Sequence, residues 1–530
     1  MKNLIIKSFT LFTAFILSLP ACQSPTSRVQ EEESNSWLIE MTIAELQHGY
    51  RNEKYSISEV VSAYLDRIIA EDMNGPSLNS VIKINPDAMK IAEELDREMT
   101  EGKIRGPLHG VPVILKDNID TEDNMPTTAG ATALRDSYAA TDSYIARKLR
   151  EAGAVIIAKA NLSEWANFRA TVSSSGWSGV GGQTKNPYVL DRNPCGSSSG
   201  SGVAVSANLC MVAVGTETDG SIVCPSNNNG IVGIKPTVGV LSRSGIIPIS
   251  YTQDTPGPMS RTVEDAAICL GAMTGVDPSD PKTLASENKS FTDYTKFLKP
   301  DGLKGKRIGI IKNSGDFSDK VDSLMIRAIR QMASLGAVMV EVVEPSKKEY
   351  EEAEFQVLLY EFKDGLNKYF AGSKGNSTVK NINELIEFNR KDSVELRYFN
   401  QNILIEAEKK GDLSSPEYIA SLEKSRKATQ DEGIDKIMND GRLDALIAPT
   451  GSPAWKTDLI NGDHFVGGSS SLAAIAGYPA ITVPMGFIDD LPVGITFFGK
   501  AWSEPVLIEI AYSYEQATRH RKAPHYLPTD

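Results

Sequence analysis

Cys195-Gly-Ser-Ser-Ser-Gly-Ser-Gly202, followed shortly by Gly215-Thr-Glu-Thr-Asp-Gly-Ser-Ile-Val-Cys-Pro225, places serines in two glycine-rich stretches. Glycine admits positive φ and close backbone approach, so a serine held there is offered to a ligand with several backbone N–H groups beside it. That arrangement suits acyl transfer, in which an oxyanion must be held as it forms. Upstream, Gly106-Pro-Leu-His-Gly-Val-Pro-Val-Ile-Leu-Lys116 runs an apolar, strand-prone segment straight into a lysine. An amine at the end of a buried strand is a candidate base for one of the serines.

Working outward, helical patterns at 42–50 and 56–71 precede a further amphipathic helix that starts at Asn85-Pro86. Ser56 and Glu59 form a capping-box pattern, and Val60, Val61, Tyr64, Leu65, Ile68 and Ile69 make that helix's expected apolar face. Short apolar runs at 111–115 and 155–158 read as strands, with a helix at 142–151 between them. Further strands are expected at 306–311, 337–343, 443–448, 477–484 and 493–498, with a helix at 322–335. Helices alternating with short apolar strands imply an α/β sheet. The charged region from about 350 to 441 reads as a helical insertion over that core.

The chain has 530 residues and a formal net charge of −13, which argues against a nucleic-acid partner, since phosphate neutralisation needs a basic surface. A neutral or basic small substrate is expected instead. Lys2 and Lys7 precede an apolar run at 11–19 that is too short to span a bilayer and ends in small residues, as an export signal does. Leu19-Pro-Ala-Cys22 resembles a lipoprotein processing site, so residues 1–22 are expected to direct export and Cys22 to carry a lipid. Residues 23–38 read as a solvated tether, and the protein is expected on the periplasmic or cell-surface side of a membrane, held only by that lipid. Of the five cysteines, Cys195 and Cys224 each flank a glycine loop; a disulfide or two thiols fit, and two buried thiols are the expectation.

Ser221, in Thr218-Asp-Gly-Ser, follows an apolar segment at 211–214, and successive N–H groups in such a turn can converge on an oxyanion. Lys116 must be neutral to act as a base; from an ordinary lysine pKa near ~10.4 this costs about 4.6 kcal/mol at pH 7. Burial among Val111, Val113, Ile114 and Leu115 would supply much of that shift, whereas Asp117 and Asp120 would oppose it. Ser197 can relay a proton between lysine and nucleophile because a hydroxyl both donates and accepts. A competing pattern exists. Gly196-Ser-Ser198-Ser-Gly200 satisfies G-x-S-x-G and would make Ser198 a nucleophile served by His464, His520 or His525, but the polar, proline-containing 190–195 segment is no strand.

These residues resemble the amidase signature family over nearly all of the chain after the tether. The family's Gly-Gly-Ser-Ser-Gly-Gly-Ser stands here as Cys195-Gly-Ser-Ser-Ser-Gly-Ser201, and its Gly-x-Asp-Thr-Gly-Gly-Ser-Ile as Gly215-Thr-Glu-Thr-Asp-Gly-Ser-Ile222. Gly233-Ile-Lys-Pro-Thr, Gln253-Asp-Thr-Pro-Gly-Pro-Met and Gly477-Tyr-Pro match as well. The resemblance implies Ser221 as the acylated nucleophile, Ser197 as the bridging serine with a cis peptide link, and Lys116 as the base. It implies an oxyanion hole from the amides of Thr218, Asp219, Gly220 and Ser221, with Ser175 a candidate substrate-binding residue, and no metal or organic cofactor. The implied fold is a mixed, mainly parallel central sheet covered by helices on both faces, over 39–528. Cys195, Ser199 and Asp219 replace family glycines, and Val223-Cys-Pro replaces Arg-x-Pro. This variant set, with Ala160-Asn-Leu-Ser-Glu-Trp and Ala501-Trp-Ser-Glu, is similar to bacterial peptide amidases, so the expected substrate is a C-terminal peptide amide or a related small amide. A glutamine amidotransferase subunit of the same family is the rival, and the expected export signal speaks against it.

Overall fold

Two helices near the start of the chain are set by local chemistry. Thr42 and Ser56 each accept a hydrogen bond from the amide three residues on, while Glu45 and Glu59 return the bond to the cap backbone, fixing Ile43–Arg51 and Ile57–Arg67. After Arg67 the chain widens into a π-helical segment, Ile68–Asn74. The change of pitch keeps Ile68 inside and turns Ile69 outward at 47% exposure, so the apolar face expected from the sequence ends one residue early. The computed structural model describes residues 36–312, 318–372 and 377–529. The expected export segment with Cys22, and residues 23–35 of the expected tether, lie outside the described residues; Ser36–Leu38 form a 3-10 turn.

Among the described residues eleven strands form one sheet: β1 (Val81–Ile84), β2 (Pro112–Lys116), β3 (Val155–Ala160), β6 (Val212–Glu217), β7 (Val232–Lys235), β8 (Thr255–Ser260), β9 (Arg307–Ile311), β10 (Val338–Val342), β11 (Ala445–Pro449), β12 (Ala480–Ile488) and β13 (Leu491–Phe498). A separate ribbon pairs β4 (Trp177–Ser178) with β5 (Gly182–Gln183). The sheet order is β1-β3-β2-β6-β8-β7-β12-β13-β11-β9-β10. Parallel pairing holds in two blocks, β3-β2-β6 and β11-β9-β10, and the strands between them are antiparallel.

β1, β6, β7 and β8 were not among the expected strands, and β8 is the hardest to read, because Pro256, Gly257 and Pro258 lie inside it and proline ordinarily marks an edge. It is tolerated here because β8 pairs with β6 along its whole length but with β7 only at Met259 and Ser260, beyond both prolines. Helices cover both faces, and between β10 and β11 the chain forms a series of helices from Glu351–Gly372 to Asp435–Gly441. Leu358, Phe362, Leu366, Leu385 and Ile403 of that helical region share a buried cluster with Leu134, Trp165 and Phe168. This packing places the helical region beside the segment that follows β3.

Candidate active site

β2 is buried along its length and pairs in parallel with β6, Leu115 opposite Val214, which carries Lys116 to the C-terminal end of β6. There Lys116 Nζ lies 2.7 Å from Ser197 Oγ and donates to Thr216 O at 3.1 Å and Thr216 Oγ1 at 2.9 Å. Asn118 Nδ2 donates to the same Thr216 hydroxyl at 3.0 Å. Burial pushes the Lys116 ammonium down to about 7, against the opposing pull of Asp254 and Glu217. Asp117 and Asp120, expected to oppose the shift, are engaged elsewhere. Asp117 accepts from the backbone and hydroxyl of Thr128 and faces Lys159 at 3.9 Å, while Asp120 accepts from the Tyr369 hydroxyl at 2.9 Å.

Ser197 follows a cis peptide bond from Gly196, and its carbonyl accepts from Ser163 N at 3.0 Å. A Cβ at residue 196 would stand 2.1 Å from Ser163 Oγ, which explains the glycine. Ser198 does not face the cavity. It is fully buried, its Oγ donates to Thr216 O at 3.1 Å and accepts from Thr216 N at 3.2 Å, and its N donates to Ser221 O at 3.1 Å. Ser198 thus ties the two serine loops together, and no strand precedes it as a nucleophile elbow requires.

Ser221 sits after Gly220, whose φ of +79° makes the tight turn. Glu217 holds the far side of that turn, its Oε2 accepting from Ile222 N at 2.7 Å and Val223 N at 3.0 Å. Asp254 holds the near side by accepting from Thr218 Oγ1 at 2.7 Å and from Ile249 N and Ser250 N. The Asp219 carboxylate accepts from Ser470 Oγ. Cys195 and Cys224 are joined in a disulfide, not left as two thiols. The expectation failed because spacing in sequence says nothing of the Cα–Cα distance, here 5.9 Å, that permits the bond. The bond links the Ser197 loop to the short helix after Ser221, and Cys195 takes a φ of +58° where the family motif has glycine.

Ser197 and Ser221 both line a cavity of about 560 Å³, and among the described residues no histidine lines it. Phe168, Leu358, Trp455 and Phe465 give it apolar walls. Ser175 lies in the wall with its N and Oγ donating to Asp463, which also accepts from Asn193 Nδ2 and Trp455 Nε1. Asp463, Trp455 and Phe465 belong to the 450–470 loop, which carries no helix or strand and of which the sequence singled out only His464. Thr216, Asn118, Glu217 and Asp254 were missed as well; Asp254 stands in the Gln253-Asp-Thr-Pro-Gly-Pro-Met motif, the one signal that marked it.

A family model described as Amidase matches residues 59–508. The chain belongs to the amidase signature family. Like other members it is an amide C–N hydrolase. A probable amidase of Arabidopsis thaliana is 40% identical over 520 residues, covering 97% of each chain. The crystal structure of the peptide amidase PAM with the competitive inhibitor chymostatin is 50% identical, with a TM-score of 0.90 over 92% of this chain and 99% of that one. The native peptide amidase from Stenotrophomonas maltophilia is 49% identical, with a TM-score of 0.88 over the same shares. Such amidase relatives share the helix-covered sheet described above.

Proposed function

We propose that this amidase hydrolyses the C-terminal carboxamide of peptides, or a related small amide, through Ser221, Ser197 and Lys116. The observation that carries the reading is the arrangement around Lys116 Nζ. A neutral amine has two N–H donors and one lone pair; Thr216 O and Oγ1 take the donors, and the lone pair is left for the Ser197 hydroxyl. Ser197 then takes the Ser221 proton as Ser221 attacks the amide carbon. The amides of residues 218 to 221 receive the oxyanion, in a turn braced by Glu217 and Asp254. The proton returns through Ser197 to the departing ammonia, and water hydrolyses the acyl-enzyme. Ser175 and its Asp463 partner form part of the wall against which the acyl group lies. The peptide-amide assignment is supported by similarity to peptide amidases and by a cavity large enough for a short peptide end.

Ammonia release from a panel of amidated peptides and simple amides, wild type against Lys116→Ala, tests the reading. Turnover of amidated peptides that Lys116→Ala abolishes is the expected result. Undiminished hydrolysis by that variant, or a fluorophosphonate adduct located anywhere but Ser221, contradicts it. Export with a lipid at Cys22 is part of the same proposal; a membrane fraction that loses the protein on Cys22→Ala is its test.

A further inference from the structure

Hydrolysis of a carboxamide changes the charge of what occupies the cavity. The C–N bond breaks, a C–O bond forms from water, and the nitrogen leaves as ammonia carrying the acid's proton, so a neutral group becomes a carboxylate beside Ser221. Among the described residues lining the cavity, the charged groups are Asp219, Glu351, Asp463 and Lys347. Three are anionic, and the Lys347 ammonium is turned to Gly468 O at 3.1 Å. Asp463 is saturated by donors from Ser175, Asn193 and Trp455. Asp219 differs in place: it stands two residues before Ser221, so their Cα atoms are at most about 7 Å apart. Its hydrogen bond from Ser470 Oγ engages one oxygen, and the residue lines the same cavity. The carboxylate released when water breaks the Ser221 ester therefore meets a second negative charge within the range at which like charges repel.

We propose that Asp219 is the residue by which this site distinguishes a carboxamide end from a carboxylate end, expelling the acid product and refusing acyl groups that are themselves anionic. Glycine, the residue of the family motif at this position, cannot do this. The substrate class that follows is a peptide amide whose last residue carries a neutral or cationic side chain. The inference rests on the peptide-amide reading above.

The test compares an N-acetylated dipeptide amide with its own free acid. The quantity read is the inhibition constant of the acid divided by KM for the amide, in wild type, Asp219→Asn, Asp219→Gly and Asp219→Glu. The ratio is expected to fall at least tenfold in the Asn variant, which still offers Ser470 an acceptor, and in the Gly variant. It is expected to stay within threefold of wild type in the Glu variant. A ratio within threefold of wild type in whichever neutral variant folds overturns the proposal. Failure of the wild type to release ammonia from any peptide amide overturns the peptide-amide reading, and the inference with it.

Discussion

Lys116 Nζ and Thr216 are joined twice, through the threonine carbonyl at 3.1 Å and its hydroxyl at 2.9 Å, and this double contact orients the amine toward Ser197. A lysine that gives both N–H groups to one residue has a fixed direction for its third valence. Burial then decides its charge, bringing it to about 7. The rate should follow the neutral amine. kcat/KM is expected to rise with pH along a single limb with a midpoint near 7 and to level above it, measured by ammonia release from pH 5 to 9.

Thr216→Val removes the hydroxyl but keeps the carbonyl. The charged ammonium loses an acceptor, so its pKa falls further and the rising limb should move to lower pH. The amine also loses its orientation, and kcat should drop by about 10–100-fold, from the roughly 1–3 kcal/mol cost of an unsatisfied buried donor. A limb that stays in place assigns it to some other group.

The same burial predicts how stability varies with pH. Lys116 binds its proton near 10.5 when unfolded and near 7 when folded, so between those values the unfolded chain holds more protons and stability rises with pH. Lys116→Met removes this dependence. The stability of wild type relative to Lys116→Met should therefore improve as pH is raised from 7 toward 10, read from urea melts of both proteins.

The Cys195–Cys224 bond closes a separation of 29 residues and joins both serine loops. Loss of such a link costs about 3–4 kcal/mol on loop-entropy grounds. Cys224→Ala should lower the melting temperature by several degrees and reduce turnover, because Cys195 then keeps its left-handed backbone without the tether. Equal melting curves with and without reductant contradict this.

Arg169 Nη1 lies 3.0 Å from both Glu164 Oε1 and Glu395 Oε2, and all three side chains are buried. Glu395 also accepts from Thr132 N and Oγ1, which ties the helical region to the sheet side of the cavity. Burial and the neighbouring Glu395 push the Glu164 carboxyl well above the usual range, so Arg169→Met leaves the buried Glu395 carboxylate without its cation and should destabilise by about 3–5 kcal/mol. Phe168 lines the cavity next to Arg169, so KM for the amide should rise in any folded variant.

Much of the site was legible because its members lie in two short windows. Lys116 stands at a strand end marked by an apolar run, and Ser197 and Ser221 stand in glycine loops whose close approaches, such as Gly196 against Ser163, exclude other residues. β8 was illegible because its prolines mimic a turn, and only the partial pairing with β7 admits them. The direction of Asp117 was also hidden, since it stands in the turn after β2, where its carboxylate is drawn to Thr128 and Lys159.

The chain's order of residues alone established the family, the α/β layering and the three candidate side chains, because strand ends, glycine turns and helix caps are local chemistry. Tertiary structure alone decided which carboxylates act on Lys116, how Cys195 meets Cys224, and what the 450–470 loop brings to the cavity. Asp254 and Lys116 lie far apart in sequence, and their coupling depends on distance and burial, which exist only once β2, β6 and β8 lie side by side.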